Sequence, residues 1–270
     1  NVMKYDKDGK LNTDDYYPFS SDVNLDSKYI FDKFVYSGAA ITDMANSNIT
    51  WETTTVTNIG LDANFFGMLN LTADYYYKKT TDILLKLDVP LIIGMNAPSQ
   101  NAGEIENRGW ELGATDTDKA GDFNYRVASN ISDVKNKVLD LKGIDEDKLQ
   151  VNREGYAMYS LYALEAIGYI QPEDYDTDGN YLYATQYGNF GPGDIKYKDQ
   201  NGDGVINSSD RIIIGNILPR YTYGISLYGE YKGIDLSLLF QGVGKADGYI
   251  YGQGIQTFIM GGTVQEQHKD

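Results

Sequence analysis

Between Asp199 and Asp210 the chain sets out oxygen atoms at a spacing that suits a hard cation. Asp199, Asn201, Asp203, Asn207 and Asp210 fall at positions 1, 3, 5, 9 and 12 of the loop, Val205 offers its carbonyl at position 7, and Gly204 holds position 6. This is the ligand order of a calcium loop, in which the glycine makes the sharp turn that points successive oxygens at one centre. Position 12 carries Asp in place of the usual Glu, a shorter and monodentate arm. The flanks read as strand or turn, which rules out an EF-hand helix pair. The same residues also suit an Asx-rich turn that satisfies its own backbone, and the pattern alone is compatible with both. Ca2+ is the one cofactor these residues suggest. A second series, Asp174, Asp176, Asp178 and Gly179, fails at position 12, Thr185, and reads better as an Asp-Gly hairpin turn between Tyr175 and Tyr181.

Aromatic residues supply the other chemistry. The chain has 24 tyrosines against 2 tryptophans and 9 phenylalanines. Tyrosine joins an apolar ring to a wet tip, so it collects in sugar clefts, protein interfaces and the girdles of membrane barrels. Tyr156, Tyr159, Tyr162, Tyr181, Tyr183 and Tyr187 lie in an irregular stretch where they would stack on a bound substrate or pack the loop itself. Catalysis has little support, and the chain reads as no enzyme. The only histidine is His268, beside the end of the sequence, which disfavours a His-based triad or a zinc cluster. Carboxylates are plentiful, but no spacing marks a two-acid glycosidase.

The elements that would carry these residues are strands. Ile59, Leu61, Ala63 and Phe65 alternate with Asn58, Gly60, Asp62 and Asn64, and Leu69 to Tyr77 continue the period after a link at Phe66-Gly67-Met68. The spacing predicts strands over about 55–66, 69–79, 105–115, 122–133, 221–232 and 233–242. Each is about ten residues long, as a tilted membrane strand requires. Links within the three hairpins are short, whereas the stretches 80–104 and 134–220 are long; residues 1–50 and 246–270 read as loop. Alternation by itself fits a soluble β-sandwich as well as a barrel. Aromatic strand ends (Tyr75 to Tyr77, Trp110, Tyr221, Tyr223), polar faces poor in lysine, and the short-long rhythm of connections favour the barrel.

Bulk properties set further bounds. A net charge of −16 excludes a nucleic-acid partner, which demands a basic face. The absence of cysteine excludes disulfide and thiol chemistry. No apolar run is long enough for a membrane helix, and the start at Asn1 shows no signal peptide, so the sequence reads as an internal piece of something longer.

Eight phrases in one order carry a resemblance. They are WETTTVTNIGLD (Trp51–Asp62), LNLTADYYYKKTTDILL (Leu69–Leu85), GEIENRGWEL (Gly103–Leu112), KNKVLDL (Lys135–Leu141), REG (Arg153–Gly155), GDIKYKDQNGDGVINSSDR (Gly193–Arg211), IGN (Ile214–Asn216) and YKGIDLSLLFQGVG (Tyr231–Gly244). From about residue 48 to 245 the chain resembles the C-terminal half of the barrel of SusC/RagA-type TonB-dependent outer-membrane transporters.

The resemblance implies an all-β fold of antiparallel up-and-down strands, forming part of a large transmembrane β-barrel with long extracellular loops, in the plugged class of about 22 strands. It implies the Gram-negative outer membrane and its lipid, import of oligosaccharides or peptides powered by TonB, and a SusD-like surface lipoprotein as partner. The plug and TonB box lie N-terminal to this region in the family and are expected to be absent here, so 51–245 would be a partial barrel that cannot close alone. One departure stands out. Where relatives carry a proline and two glycines after REG, this chain has Ala157, Tyr159 and Ala163, which puts the usual lumen-facing path in doubt. By propensity Ala157–Ile170 also suits a short helix, though extended chain is favoured. The competing reading is a soluble calcium-dependent carbohydrate-binding β-sandwich, which requires a closed core within these residues.

Overall fold

The computed structural model describes residues 23–252, apart from Asp88, Asp145, Asn180, Tyr183 and Asn189. Its strands run in chain order β1 (Val23–Phe31), β2 (Phe34–Ile41), β3 (Thr53–Phe65), β4 (Leu69–Lys86), β5 (Ser99–Ala120), β6 (Phe123–Asp140), β7 (Gln150–Val151), β8 (Ser160–Leu164), β9 (Ala166–Tyr169), β10 (Ala184–Thr185), β11 (Ile195–Tyr197), β12 (Val205–Ile206), β13 (Arg211–Asn216), β14 (Arg220–Tyr231) and β15 (Ile234–Lys245). The main body is one antiparallel sheet in the order β15-β14-β6-β5-β4-β3.

Its register separates two chemistries. Leu61, Ala73, Leu112, Ile131, Tyr223 and Gly242 stand side by side across the strands, as do Ala63, Leu71, Ala114, Ser129, Ile225 and Phe240. One residue along, the opposite face reads Asp62, Thr72, Gly113, Asn130, Gly224 and Gln241. Side chains alternate strictly along a strand, so one face is apolar and the other polar. On the polar face Gly109 makes room for Tyr76, whose ring occupies the space a Cβ there would take.

Among the described residues no second layer covers the apolar face. Ile59 is 71% exposed, Leu61 66%, Leu236 62% and Leu112 47%. This overturns the β-sandwich reading, because a soluble sandwich hides those rows against a facing sheet. The buried apolar side chains among the described residues are Val138, Leu141, Val151, Leu161, Ile170 and Ile206, all at one end of the sheet or in the segment that joins β6 to β14.

All three short turns lie at the other end. Phe66-Gly67 and Lys232-Gly233 have positive φ at both central positions (56° and 74°, 48° and 83°), the backbone whose twist matches a hairpin; Gly121-Asp122 closes β5 onto β6. Phe65, Phe66, Phe123 and Tyr231 gather at this end, while Tyr75, Tyr77, Trp110, Tyr221 and Tyr223 mark a second aromatic level further along. Tyr221 adopts φ of 56° where β14 begins, which breaks the alternation and lets Arg220 pair with Asp133 across the strand.

The structure departs from the sequence expectation in three places. Strands outrun their expected ends: β4 continues to Lys86, β5 covers 99–120 instead of 105–115, and β6 continues to Asp140. At 22 residues β5 is roughly 70 Å long, more than twice the ~30 Å hydrocarbon core of a bilayer. Past the apolar rows the strict alternation stops while the ladder goes on. Residues 23–41, expected as loop, form the β1–β2 hairpin. The segment 134–220 is itself built: β7, β8 and β13 form a small sheet, β9 pairs with β11, and β10 with β12. Within it a turn at Met158-Tyr159 leads into Ser160–Leu164 and Ala166–Tyr169, which are strands and not the short helix.

Candidate functional site

The Asp199–Asp210 loop is a succession of side-chain-to-backbone bonds. Asp199 accepts from the N–H groups of Gly202 (2.7 Å) and Gly204 (2.8 Å), Asn201 from Asp203 (2.9 Å), and Asp203 from Val205 (2.8 Å). Asn207 accepts from Ser209 (2.7 Å) at the start of a single 3-10 turn, and its amide donates to the Val205 carbonyl (3.3 Å). Asp210 is fully buried, and its two oxygens take the N–H groups of Gln200 (2.9 Å) and Asn207 (2.8 Å). Gly202 and Gly204 have φ of 76° and 78°, which the reversals require. Ile206, 1% exposed, pins the loop to the core through β12. The N–H of Gly204, followed by that of Gly202, holds the Asp199 carboxyl below its ordinary pKa, against the opposing pull of burial.

The side-chain oxygens of Asp199, Asn201, Asp203, Asn207 and Asp210, together with the Val205 carbonyl, are thus engaged within the loop. The Asp199 and Asp210 carboxyls are close neighbours, and among the described residues no group of three or more His, Cys, Asp or Glu side chains is placed to hold a metal. The donor set is chemically suited to Ca2+, and the arrangement is that of consecutive Asx turns. The related series at Asp174–Gly179 is a turn as well. Asp176 accepts from Asp178 (2.9 Å), and Tyr175 bridges Tyr181.

The candidate tyrosines divide. Tyr162 and Tyr187 line one cleft of about 600 Å³ with Phe190, Tyr197, Arg211 and Asp147. Arg211 pairs with Asp147 at its rim, and Arg153 lies over the Tyr162 ring at 4.2 Å. Tyr156 and Tyr159 are half-exposed and outside the cleft, Tyr181 packs on Tyr175 (centroids 5.7 Å apart), and Tyr183 falls outside the described residues. Sequence reasoning missed Phe190, Tyr197, Arg211 and Asp147, which come from four separate segments. An aromatic cleft with a charged pair at its rim can stack against a flat apolar ring and hydrogen-bond its polar edge.

The loop segment that carries the cleft is tied firmly to the strands below. Glu154 accepts from Leu141 (2.8 Å) and Gly143 (3.1 Å), and Val138 exchanges backbone bonds with Tyr156 and Gly155. Asn136 accepts from the Met158 N–H (2.7 Å), while Asn216 donates to the Met158 carbonyl (2.8 Å). Glu165 joins Gln200 (2.6 Å) and Lys198 (3.2 Å), which links the Asx loop to β8 and β9. The Arg153-Glu154-Gly155 motif therefore works by three separate means: ring stacking, capping of backbone N–H groups, and a positive φ of 87°.

Comparisons agree with this geometry. Residues 12–249 match the family described as TonB dependent receptor-like, beta-barrel. TonB-dependent receptor P26 of Formosa agariphila is 34% identical over 218 residues, covering 76% of this chain and 22% of that protein. SusC of Bacteroides thetaiotaomicron is 28% identical over 225 residues, 76% of this chain and 20% of its own length. Among solved structures, the RagAB peptide importer in its open-open state superposes with a TM-score of 0.64 at 22% identity, over 84% of this chain and 24% of that one. The chain thus spans about a fifth of the length of these curated relatives. Sheet, turns and motif order point the same way, and the chain belongs to the SusC/RagA-type TonB-dependent receptors, matching part of their β-barrel.

Proposed function

We propose that this chain forms part of the wall and outer loops of a TonB-dependent importer in a Gram-negative outer membrane. The observation that carries the reading is the single-layer sheet, with its uncovered apolar face, its polar face, and all its short turns at one end. Hydrocarbon is the solvent for which such an apolar face is stable, and the polar face suits a wet lumen. The β1–β2 hairpin exposes Phe31 and Phe34 on one face and Ile30 and Val35 on the other. The cargo is an oligosaccharide or a peptide, received in part by the aromatic cleft at the loop end. RagAB, a structural neighbour, is a peptide importer; ring stacking in the cleft supports sugars. A SusD-like lipoprotein would lie over the long loops, and TonB would drive release through parts of the protein beyond this barrel segment.

The test uses the full-length protein. Deleting its gene is expected to abolish uptake of either labelled oligosaccharides or labelled peptides, and restoring it is expected to recover that uptake. Unchanged uptake of both classes, or recovery of the protein outside the outer-membrane fraction, would overturn the reading. For the Asp199–Asp210 loop we propose a structural role, in which Asx turns brace the cleft. Equal melting temperatures in Ca2+ and in chelator are expected, and a clear rise with Ca2+ would assign the loop to the ion instead.

A further inference from the structure

The apolar face does not simply stop at the upper aromatic level. Its rows continue as Tyr75, Trp110 and Asp133, then Tyr77, Arg108 and Lys135, then Lys79, Glu106 and Lys137. Residues opposite one another in register point to the same side, so these charges share the face of Leu61 and Leu112. The acidic groups among them are already engaged: Glu104 with Lys79 (2.8 Å), Glu106 with Arg108 (3.1 Å) and Asp133 with Arg220. Lys135 and Lys137 are exposed and form no ion pair among the described residues.

Arg108 stands directly opposite Lys135. Like charges opposed across a ladder are destabilising, and here they meet in a chain with 39 acidic and 23 basic residues. Glu106 already pairs with Arg108, so the charge left to offset is that of Lys135 and Lys137, and an anion beside them would supply it. Arg108 is fixed beside them by Glu106 and by the Tyr77 ring, its guanidinium 5.2 Å from the ring centre and its side chain 56% exposed, so its remaining donors face outward.

We propose that Arg108, Lys135 and Lys137 hold the phosphate group of a lipid in the outer leaflet. This rests on the membrane reading above. The patch begins one residue pair beyond Tyr75 and Trp110, some 7 Å further along the strands, which is headgroup height if those rings mark the edge of the hydrocarbon. Acyl chains of the same lipid would lie on Ala73, Leu112 and Ile131 below. Arginine offers a planar fork of donors to phosphate and lysine a mobile point charge, so the group combines orientation with charge.

The test places the full-length protein in phosphatidylcholine nanodiscs with added lipid A and counts retained lipid A by native mass spectrometry. The wild type is expected to retain it, and the double variant Lys135→Gln/Lys137→Gln to retain several-fold less. Either single variant should show an intermediate loss, Lys135→Arg/Lys137→Arg should restore retention, and Lys232→Asn at the turn end should leave it unchanged. Equal retention by the wild type and the Gln variants, or equal retention of dephosphorylated lipid A, would overturn the headgroup site alone. Failure of the wild type to enter nanodiscs would overturn the membrane reading and the site with it.

Discussion

The sheet and the loop segment above it obey opposite packing rules. In the sheet, large apolar side chains such as Ile59 and Leu236 are exposed, and order comes from backbone ladders that continue for up to 22 residues. In the loop segment, strands are two to six residues long, and order comes from a few buried groups (Val151, Leu161, Ile170, Ile206) and from carboxylates that satisfy backbone N–H groups. The difference teaches which solvent each region faces. One was shaped for a medium that cannot hydrogen-bond, the other for water, where a short segment holds its shape only if its own side chains fix it.

The contrast is broken most directly by a charge in the wrong place. Leu112→Arg, on the lipid face, is expected to destabilise the full-length protein in a bilayer by about 2–4 kcal/mol and to reduce its outer-membrane yield. Ser226→Arg, on the polar face, should be tolerated; equal effects in a denaturant titration would erase the distinction between the faces. Next in size, Asp210→Ala leaves two half-buried N–H groups without their acceptor, at about 1 kcal/mol each. Hydrogen exchange should then speed up across 199–210 while the sheet stays protected.

Smaller effects sharpen the comparison. Tyr162→Ala with Tyr187→Ala removes two rings from the cleft, each worth about 0.5–1.5 kcal/mol in stacking, so the half-saturation concentration for uptake should rise roughly tenfold with no loss of protein from the membrane. Smallest is a pH effect. The carboxyl of Asp199 titrates lower in the folded loop than in an unfolded chain, where an aspartate titrates near ~3.9. Its contribution is therefore complete above that value and fades as the pH falls through the lower, folded one. Protection of the Gly202 and Gly204 amides, corrected for intrinsic exchange, should persist at neutral pH and weaken only in strong acid.

What was legible in the sequence follows the same division. Within the bilayer band one face is apolar and the other wet, so Ile59 to Phe65 and Tyr223 to Phe240 carry a period of two that exposes strand, turn and facing. Past the band, at Thr80–Lys86 or Val134–Asp140, both faces are wet and the period disappears although the pairing persists. The β1–β2 hairpin was a weaker miss: Val23, Leu25, Tyr29 and Phe31 do alternate, but Ser37, Gly38, Ala39 and Ala40 blur the returning strand. In the cleft, Tyr162 and Tyr187 were readable as aromatic residues. Their company was not, because Arg211 meets Asp147 across 64 positions and no local spacing encodes that approach. The Asx loop was legible as a list of oxygens, whereas their direction toward backbone N–H groups depends on the left-handed turns at Gly202 and Gly204.

Among the described residues the margins of the six-stranded sheet, the outer sides of β3 and β15, each present a rail of N–H and C=O groups to whatever lies beside them. Water can satisfy such a rail; lipid cannot, and each orphaned group there would be penalised by several kcal/mol. A ribbon of this kind cannot slip into a bilayer strand by strand and wait for company. Its neighbours must zip onto both rails before or during entry, which makes insertion a concerted event whose rate is set by closure of the cylinder and not by the greasiness of any one hairpin.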